Sequence, residues 1–210
     1  MTLKIIAVSD THNHYENLVI PNGDIFIHAG DITISSQMDK IAKFNDFLGN
    51  LPHKYKIVVA GNHDRLFEKL SKNKVQSLLT NAIYLEDQAA KIEGINFYGS
   101  PWLPWFLALD MAFAINFGTD LRNKWNQIPV DTDILITHCP PYGHLDIVDG
   151  INIGCADLLN VVEKINPKYH IFGHLHENYG ISSNGKTKFI NASICEGIDN
   201  PIRFPVEIIF

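Results

Sequence analysis

The sequence predicts a single mixed α/β domain, and three observations predict it. Hydrophobic residues make up 46% of the 210-residue chain and charged residues 19%, enough apolar side chain for a sizeable core and too little polarity for long disordered tracts. Short apolar runs recur with the length and composition of buried strands. Between them lie segments with apolar residues at helical spacing, the arrangement of βαβ crossovers.

The first run, residues 3–8, reads as a strand and not as a signal peptide, since no small-residue cleavage pattern follows it. Residues 24–28 and 55–60 form the second and third runs. Between these two, Ser36 with Asp39 resembles a capping box, after which Ile41, Phe44, Phe47 and Leu48 follow helical spacing before Pro52. Asp64 reads as the N-cap of a short helix over 65–70. Runs at 83–85, at 89–92 with 95–98, and at 187–192 with 206–209 read as strands joined by short Gly or Asn turns. Residues 133–137 and 169–172 are two more buried strands. Between them, residues 154–165 place Leu158, Leu159, Val161, Val162 and Ile165 on one stripe before Pro167. No repeat, low-complexity segment or Gly/Ser-rich linker marks a boundary.

Five of these runs end within a residue or two of a side chain able to hold a metal. Asp10 and His12 follow the first, Gly30-Asp31 the second and Gly61-Asn62-His63 the third, while His138 and Gly173-His174 with His176 follow the last two. Ligands of open α/β sheets bind beyond the carboxyl ends of the strands, so the five endings predict one shared centre. A site built from Asp10 to His176 needs most of the chain, which favours one domain over residues 1–210.

Asp10, His12, Asp31, Asn62, His138, His174 and His176 offer two carboxylates, one amide oxygen and four imidazoles. Such a set, with no thiolate, suits borderline divalent ions such as Mn²⁺, Fe²⁺, Co²⁺ or Zn²⁺. Seven donors are too many for one ion. Two ions about 3.5–4 Å apart with one bridging carboxylate would use them all and leave positions for water and substrate. In extended backbone residues i and i+2 face the same way, so Asp10 with His12, and His174 with His176, can each serve one centre. Gly30, Gly61 and Gly173 permit the tight turns that such endings require.

In order, Asp10-Thr11-His12, Gly30-Asp31, Gly61-Asn62-His63-Asp64, Thr137-His138 and Gly173-His174-Leu175-His176 resemble the motifs of the calcineurin-like metallophosphoesterases. The segments 44–52, 99–106 and 190–193 are similar to the branch of metallophosphoesterase-domain-containing proteins that act on phosphodiesters, cyclic nucleotides among them. The resemblance implies a four-layer αββα sandwich, two mixed β-sheets flanked by helices. It also implies a metal-dependent phosphodiesterase in which a hydroxide bridging two divalent ions attacks a small phosphodiester. The ions would be Mn²⁺ or Fe²⁺, with Zn²⁺, Co²⁺ and Mg²⁺ as alternatives. Asp10, His12 and His176 would hold the first ion, Asp31 would bridge, and Asn62, His138 and His174 would hold the second. His63 would stay free of metal and protonate the leaving oxygen. Some members of the branch carry Gly where His174 stands, and this chain keeps the ligand. Many have Gly after the fourth-motif His, where this chain has Cys139, read as an unliganded packing thiol open to oxidation.

Phosphomonoester or phosphoprotein hydrolysis is the alternative activity. A non-catalytic metal-binding interaction scaffold is a third reading, which loss of ligands would mark; none is lost. His14, His144 and Trp102 are candidate substrate contacts. Trp102, Trp105 and Phe106 read either as a wall for a nucleobase or as core. His28, His53 and His170 read as structural or surface residues, and Lys69, Lys72 and Lys74 as a solvated face. Seventeen basic against 23 acidic side chains leave a net charge of −6, which disfavours long nucleic acid as a partner. The most apolar stretch, 102–117, is too short to span a bilayer. Three cysteines without metal-type spacing fit reduced thiols in the cytoplasm. The residue that orients His63, and the oligomeric state, stay open at this stage.

Overall fold

A computed structural model describes residues 2–34, 37–105, 111–197 and 200–210. Eleven strands build two large sheets: β1 (Lys4–Val8), β2 (Ile25–Ala29), β3 (Tyr55–Val59), β4 (Ile83–Tyr84), β5 (Gln88–Ile92), β6 (Ile95–Ser100), β7 (Ile134–Thr137), β8 (Tyr169–Phe172), β9 (Gly180–Ser183), β10 (Lys188–Asn191) and β11 (Val206–Ile209). The helices among the described residues are α1 (Met38–Asn50), α2 (Arg65–Lys69), α3 (Lys72–Leu78), α4 (Thr119–Trp125) and α5 (Ala156–Ile165).

The first sheet has the order β11-β1-β2-β3-β4, parallel except for β11, which pairs antiparallel with β1 from Lys4↔Ile209 to Ala7↔Val206. The second has the order β9-β10-β8-β7-β6-β5, with parallel inner strands and an antiparallel strand at each edge. Both are therefore mixed sheets. The period-2 alternation of strand side chains divides the interior. Ile5, Ala7, Ile25, Ile27, Ile57 and Val59 of the first sheet meet Phe97, Ile134, Ile136, Ile171 and Ile190 of the second in one buried cluster. The intervening residues face the other way. Ile6, Val8, Phe26 and Val58 join Ile41, Phe44 and Leu48 of α1, and Leu135, Phe172 and Phe189 join Trp125 of α4 and Leu158 and Val162 of α5. The inner runs are apolar on both faces because each face is covered. The result is a helix–sheet–sheet–helix layering.

Three local expectations change. Residues 187–192 and 206–209 do not share a hairpin: β10 lies in the second sheet and β11 closes the edge of the first. The partner of β10 is β9, whose Gly180-Ile181-Ser182-Ser183 has too few apolar residues to read as a strand. The capping box involves Ser36, which lies outside the described residues; the N-cap position of α1 is Gln37, with no side-chain cap bond. Asp64 stands at the N-cap position of α2, but its side chain makes no cap bond either and turns to the strand endings described next.

Candidate metal centre

Where β1, β2 and β8 leave their sheets, the chain turns through conformations that side chains resist. Asp10 (φ 55°), His12 (φ 45°), Asn13 (φ 71°), Asp31 (φ 55°) and His174 (φ 71°) all sit in the left-handed region. Each costs on the order of 1–2 kcal/mol, and such residues persist only where the surroundings fix them. Here the first two loops are zipped together: the Asp10 N–H donates to Gly30 O at 2.8 Å, His12 N–H to Asp31 O at 3.0 Å and Asn13 N–H to Ile32 O at 2.8 Å. The buried Asp64 carboxylate ties the second loop to the third by accepting the N–H groups of Ile32 (3.2 Å), Thr33 (2.9 Å) and Gly61 (2.9 Å). Burial, and then the charge of Asp31, push its pKa up to about 7 against those donors.

Gly30 has φ +107° and needs its conformational freedom. For Gly61 and Gly173 the requirement is space, not turning. A Cβ on Gly61 would strike the Asp31 carboxylate, and one on Gly173 the Asp10 carboxylate and the Ser9 hydroxyl.

These loops bring all seven predicted donors together. Asp10, His12 and His176 present ligand atoms within 4.8 Å of one another, and so do Asp10, Asp31 and His138. His12 Nε2 lies 3.2 Å from His176 Nε2, which is 3.3 Å from Asp10 Oδ1. On the other side, His138 Nε2 is 3.3 Å from Asp31 Oδ2 and 2.9 Å from Asn62 Oδ1, and Asn62 Oδ1 is 2.8 Å from His174 Nδ1. His63 stands at the rim with its side chain about one-third exposed (34%) and Nε2 4.0 Å from Asp31 Oδ2. Two contacts hold it: its backbone N–H donates to Asp31 Oδ1 at 2.7 Å, and its ring meets that of His12 edge-on at 5.0 Å. The first fixes the main chain of His63, and the His12 ring is the neighbour that flanks its imidazole.

The His138 Nδ1–H donates to the Ala29 carbonyl, which can only accept, so Nε2 is the atom turned toward Asp31 and Asn62. Burial disfavours a charged His138, yet the charge of Asp31 outweighs it and lifts the pKa to about 9. The lone pairs of Asp31, Asn62 and His138 converge on one place. A cation satisfies the same lone pairs, and the nitrogen and oxygen donors fit borderline divalent ions. Burial likewise opposes ionisation of Asp10, but its hydrogen bond from His176 and the charge of His138 bring its pKa down to about 2. Asp31 is held below the usual carboxylate range against its burial, chiefly by His138. Burial and the positive His138 lower His174 to about 4, and burial lowers His12. Both are neutral, as ligation requires.

The other singled-out residues are placed as follows. His28 and His170 are buried and neutral, pushed down to about 3 by burial, and bond Thr11 Oγ1 (2.9 Å) and Thr137 Oγ1 (2.8 Å). His53 is buried with its ring against Phe26. His14 is half-buried just before a 3-10 turn, Tyr15–Asn17. His144 stacks on Phe189 at 3.7 Å, with Nδ1 3.3 Å from Ser182 Oγ. Trp102 is engaged as a packing residue: its indole N–H donates to Asp87 at 2.8 Å, and Lys124 covers one ring face at 3.8 Å. Trp105 is the exposed tryptophan, lining a cavity with Ala114, Ile115 and Asn116. Phe106 lies outside the described residues. Lys69, Lys72 and Lys74 are exposed. The residue that sequence reasoning missed is Asp64, whose position beside His63 gave no sign that it ties its own loop to the one that follows β2.

The calcineurin-like phosphoesterase family model matches residues 3–178, the span that contains every donor named above. The chain belongs to the calcineurin-like phosphoesterases. Within this family, which binds a dinuclear divalent metal centre, human metallophosphoesterase domain-containing protein 1 is 42% identical over 98% of this chain and 70% of its own length. A Caenorhabditis elegans protein is 41% identical over 98% of this chain and 82% of its own. A solved crystal structure shares the fold at a TM-score of 0.70 and 17% identity, covering 91% of this phosphoesterase and 90% of that chain. Among the described residues of this phosphoesterase, no helix is long and apolar enough to cross a membrane.

The conformation of His174 makes one substitution informative. At φ 71° glycine is less strained than histidine, so His174→Gly removes a donor while relieving the backbone. The expected outcome is a metal-free melting temperature no lower than that of the parent, together with weaker binding of the second ion. Metal titration followed by thermal melts checks both, and unchanged activity at limiting metal would remove His174 from the ligand set.

Proposed function

We propose that this phosphoesterase hydrolyses small phosphodiesters, cyclic nucleotides among them, at a dinuclear centre. Asp10, His12 and His176 hold the first ion, Asp31 bridges, and Asn62, His138 and His174 hold the second. The observation that carries this reading is the convergence of seven nitrogen and oxygen donors from five strand ends around two buried carboxylates. Two divalent ions there supply Lewis-acid neutralisation of the phosphoryl oxygens and a water acidic enough to act as nucleophile near neutral pH. Mn²⁺ or Fe²⁺ suits the donor set, which has no thiolate.

The chain's own groups divide the remaining work. His138 is fixed in orientation by Ala29, and Asp31 faces both His138 and the His63 loop. From the rim, His63 donates the proton that the leaving alkoxide must take. Support for a diester over a monoester comes from the charges around the site. The strongest charged partners of Asp31 are His138, His63 and His12, and those of Asp10 are His176, His138 and Asp31, so the positive charge closest to the two carboxylates comes from histidines. The monoanion of a diester then needs no fixed cation beyond the metals, whereas a monoester dianion would profit from one. Residues 1–210 act as one domain in this reading, supported by the pairing of β11 with β1. The cytoplasm, where the three free cysteines stay reduced, is the proposed compartment.

A panel of cyclic nucleotides, linear diesters and monoesters, assayed with Mn²⁺, tests the proposal. Diesters are expected to be turned over at least about tenfold more efficiently, roughly 1.4 kcal/mol of transition-state discrimination. Faster hydrolysis of monoesters would overturn the diester assignment, and no hydrolysis of any ester would favour the scaffold reading.

A further inference from the structure

Each large sheet carries a buried histidine on its helix-facing side, close below a strand end that supplies metal donors. His28 lies in β2, in the same alternation as Phe26, with its ring edge-on to Phe44 of α1 at 5.4 Å. His170 lies in β8, in the same alternation as Phe172, and its ring meets those of Phe172 (5.1 Å) and Phe189 (6.0 Å) edge-on. Both side chains are fully enclosed, and the reaction described above uses neither.

Their hydrogen bonds fix which nitrogen of each ring carries the hydrogen. The Gly30 N–H donates to His28 Nδ1 at 3.3 Å, so Nδ1 is the acceptor and Nε2 bears the hydrogen. His28 Nε2–H donates to Thr11 Oγ1 at 2.9 Å, and the Thr11 hydroxyl donates in turn to Ile32 O at 3.4 Å. In the second sheet the Thr137 hydroxyl gives its one hydrogen to Cys139 O at 2.7 Å, so it accepts from His170 Nε2–H at 2.8 Å. That leaves His170 Nδ1 as a buried acceptor with no hydrogen-bond partner among the described residues.

Both threonines belong to ligand turns. Thr11 separates Asp10 from His12, whose left-handed backbones need support from their surroundings, and Ile32 follows Asp31. Thr137 precedes His138 and Cys139 follows it, so the bond from Thr137 Oγ1 to Cys139 O closes the turn around His138. A leucine would fill the space beside Phe172 and Phe189 without burying an unpaired nitrogen. What histidine adds there is the N–H it delivers to Thr137. We propose that His28 and His170 are positioning residues, each fixing through one threonine hydroxyl a turn that carries metal donors, His28 the turn of Asp10 and His12 and His170 the turn of His138. The assignment of those donors to a first and a second ion rests on the function proposed above; the two chains of hydrogen bonds do not.

Zinc titrations of the full chain test this, with the ring ¹⁵N signals of His12 and His176 reporting the first ion and those of His138 and His174 the second. His170→Leu should weaken the second ion about tenfold and leave the first within about twofold, and His28→Leu should do the reverse. His170→Gln carries an N–H the same number of bonds from Cα and should restore the second ion to near the parental affinity. A packing role alone predicts a lower melting temperature, both ions affected alike and no recovery by glutamine, and that pattern overturns the proposal. If His170→Leu does not fold, adding Thr137→Val removes both polar partners at once, and the double variant should still hold the second ion more weakly than the parent does. Spectra taken before zinc is added report the tautomers, and an Nδ1–H form of His170 overturns the proposal at any metal content. Parental affinity for both ions in His170→Leu overturns the positioning role and leaves the dinuclear reading intact. A parent chain that takes up one ion overturns the dinuclear reading, and with it the division of the two histidines between two ions.

Discussion

Asp31→Asn is expected to remove most metal from both sites and to lower kcat/KM by at least about 10²-fold, roughly 2.7 kcal/mol of barrier. The substitution isolates charge. Asparagine tolerates φ 55° as well as aspartate does, and its amide oxygen can still accept the His63 N–H that reaches Asp31 Oδ1 at 2.7 Å. What it cannot supply is a second anionic oxygen facing His138. The proton on His138 should depart with it: the pKa of about 9 owes its elevation to Asp31 and should fall toward the neutral-pH range. Metal analysis and an NMR titration of His138 in metal-free protein report the two effects separately. A variant with normal metal content and turnover would show that Asp31 bridges nothing.

His63→Ala should cost roughly 10²- to 10⁴-fold on a substrate whose leaving group is a ribose oxygen, about 2.7–5.4 kcal/mol. The loss should be much smaller on a nitrophenyl diester, because a nitrophenolate leaves without needing a proton. Both ions should remain bound, since His63 stands at the rim, 4.0 Å from Asp31 Oδ2, and outside both groups of converging ligand atoms. Equal losses on the two substrates would mean that His63 positions substrate instead. Loss of metal would mean that it coordinates. The acid would then have to be sought at His14 or His144, and His144 is the poorer candidate, its ring being stacked on Phe189.

The donors were legible because each sits at the end of a buried strand, and a strand reads from a few apolar residues in a row. β8 matches its expected limits to the residue, and β1, β2, β3 and β7 lie within one or two residues of theirs. What escaped was whatever depends on two distant segments meeting. β9 carries no hydrophobic signal because it is an edge strand that β10 recruits. Asp64 looked like a helix cap, since cap and cross-loop anchor use the same residue at the same spot in sequence. Gly61 and Gly173 were correctly singled out for the wrong reason: the Cβ collisions there come from Asp31 and Asp10, which only the folded chain brings near. The packing of Trp102 under Lys124 and against Asp87 is equally non-local.

The dinuclear reading stands or falls on stoichiometry. Metal-free protein titrated with Mn²⁺, with bound metal measured by equilibrium dialysis and activity assayed at each point, tests it most directly. The account predicts saturation at two ions per chain, with turnover rising as the second ion binds. Full activity at one ion per chain, with no further gain as more is bound, would contradict it.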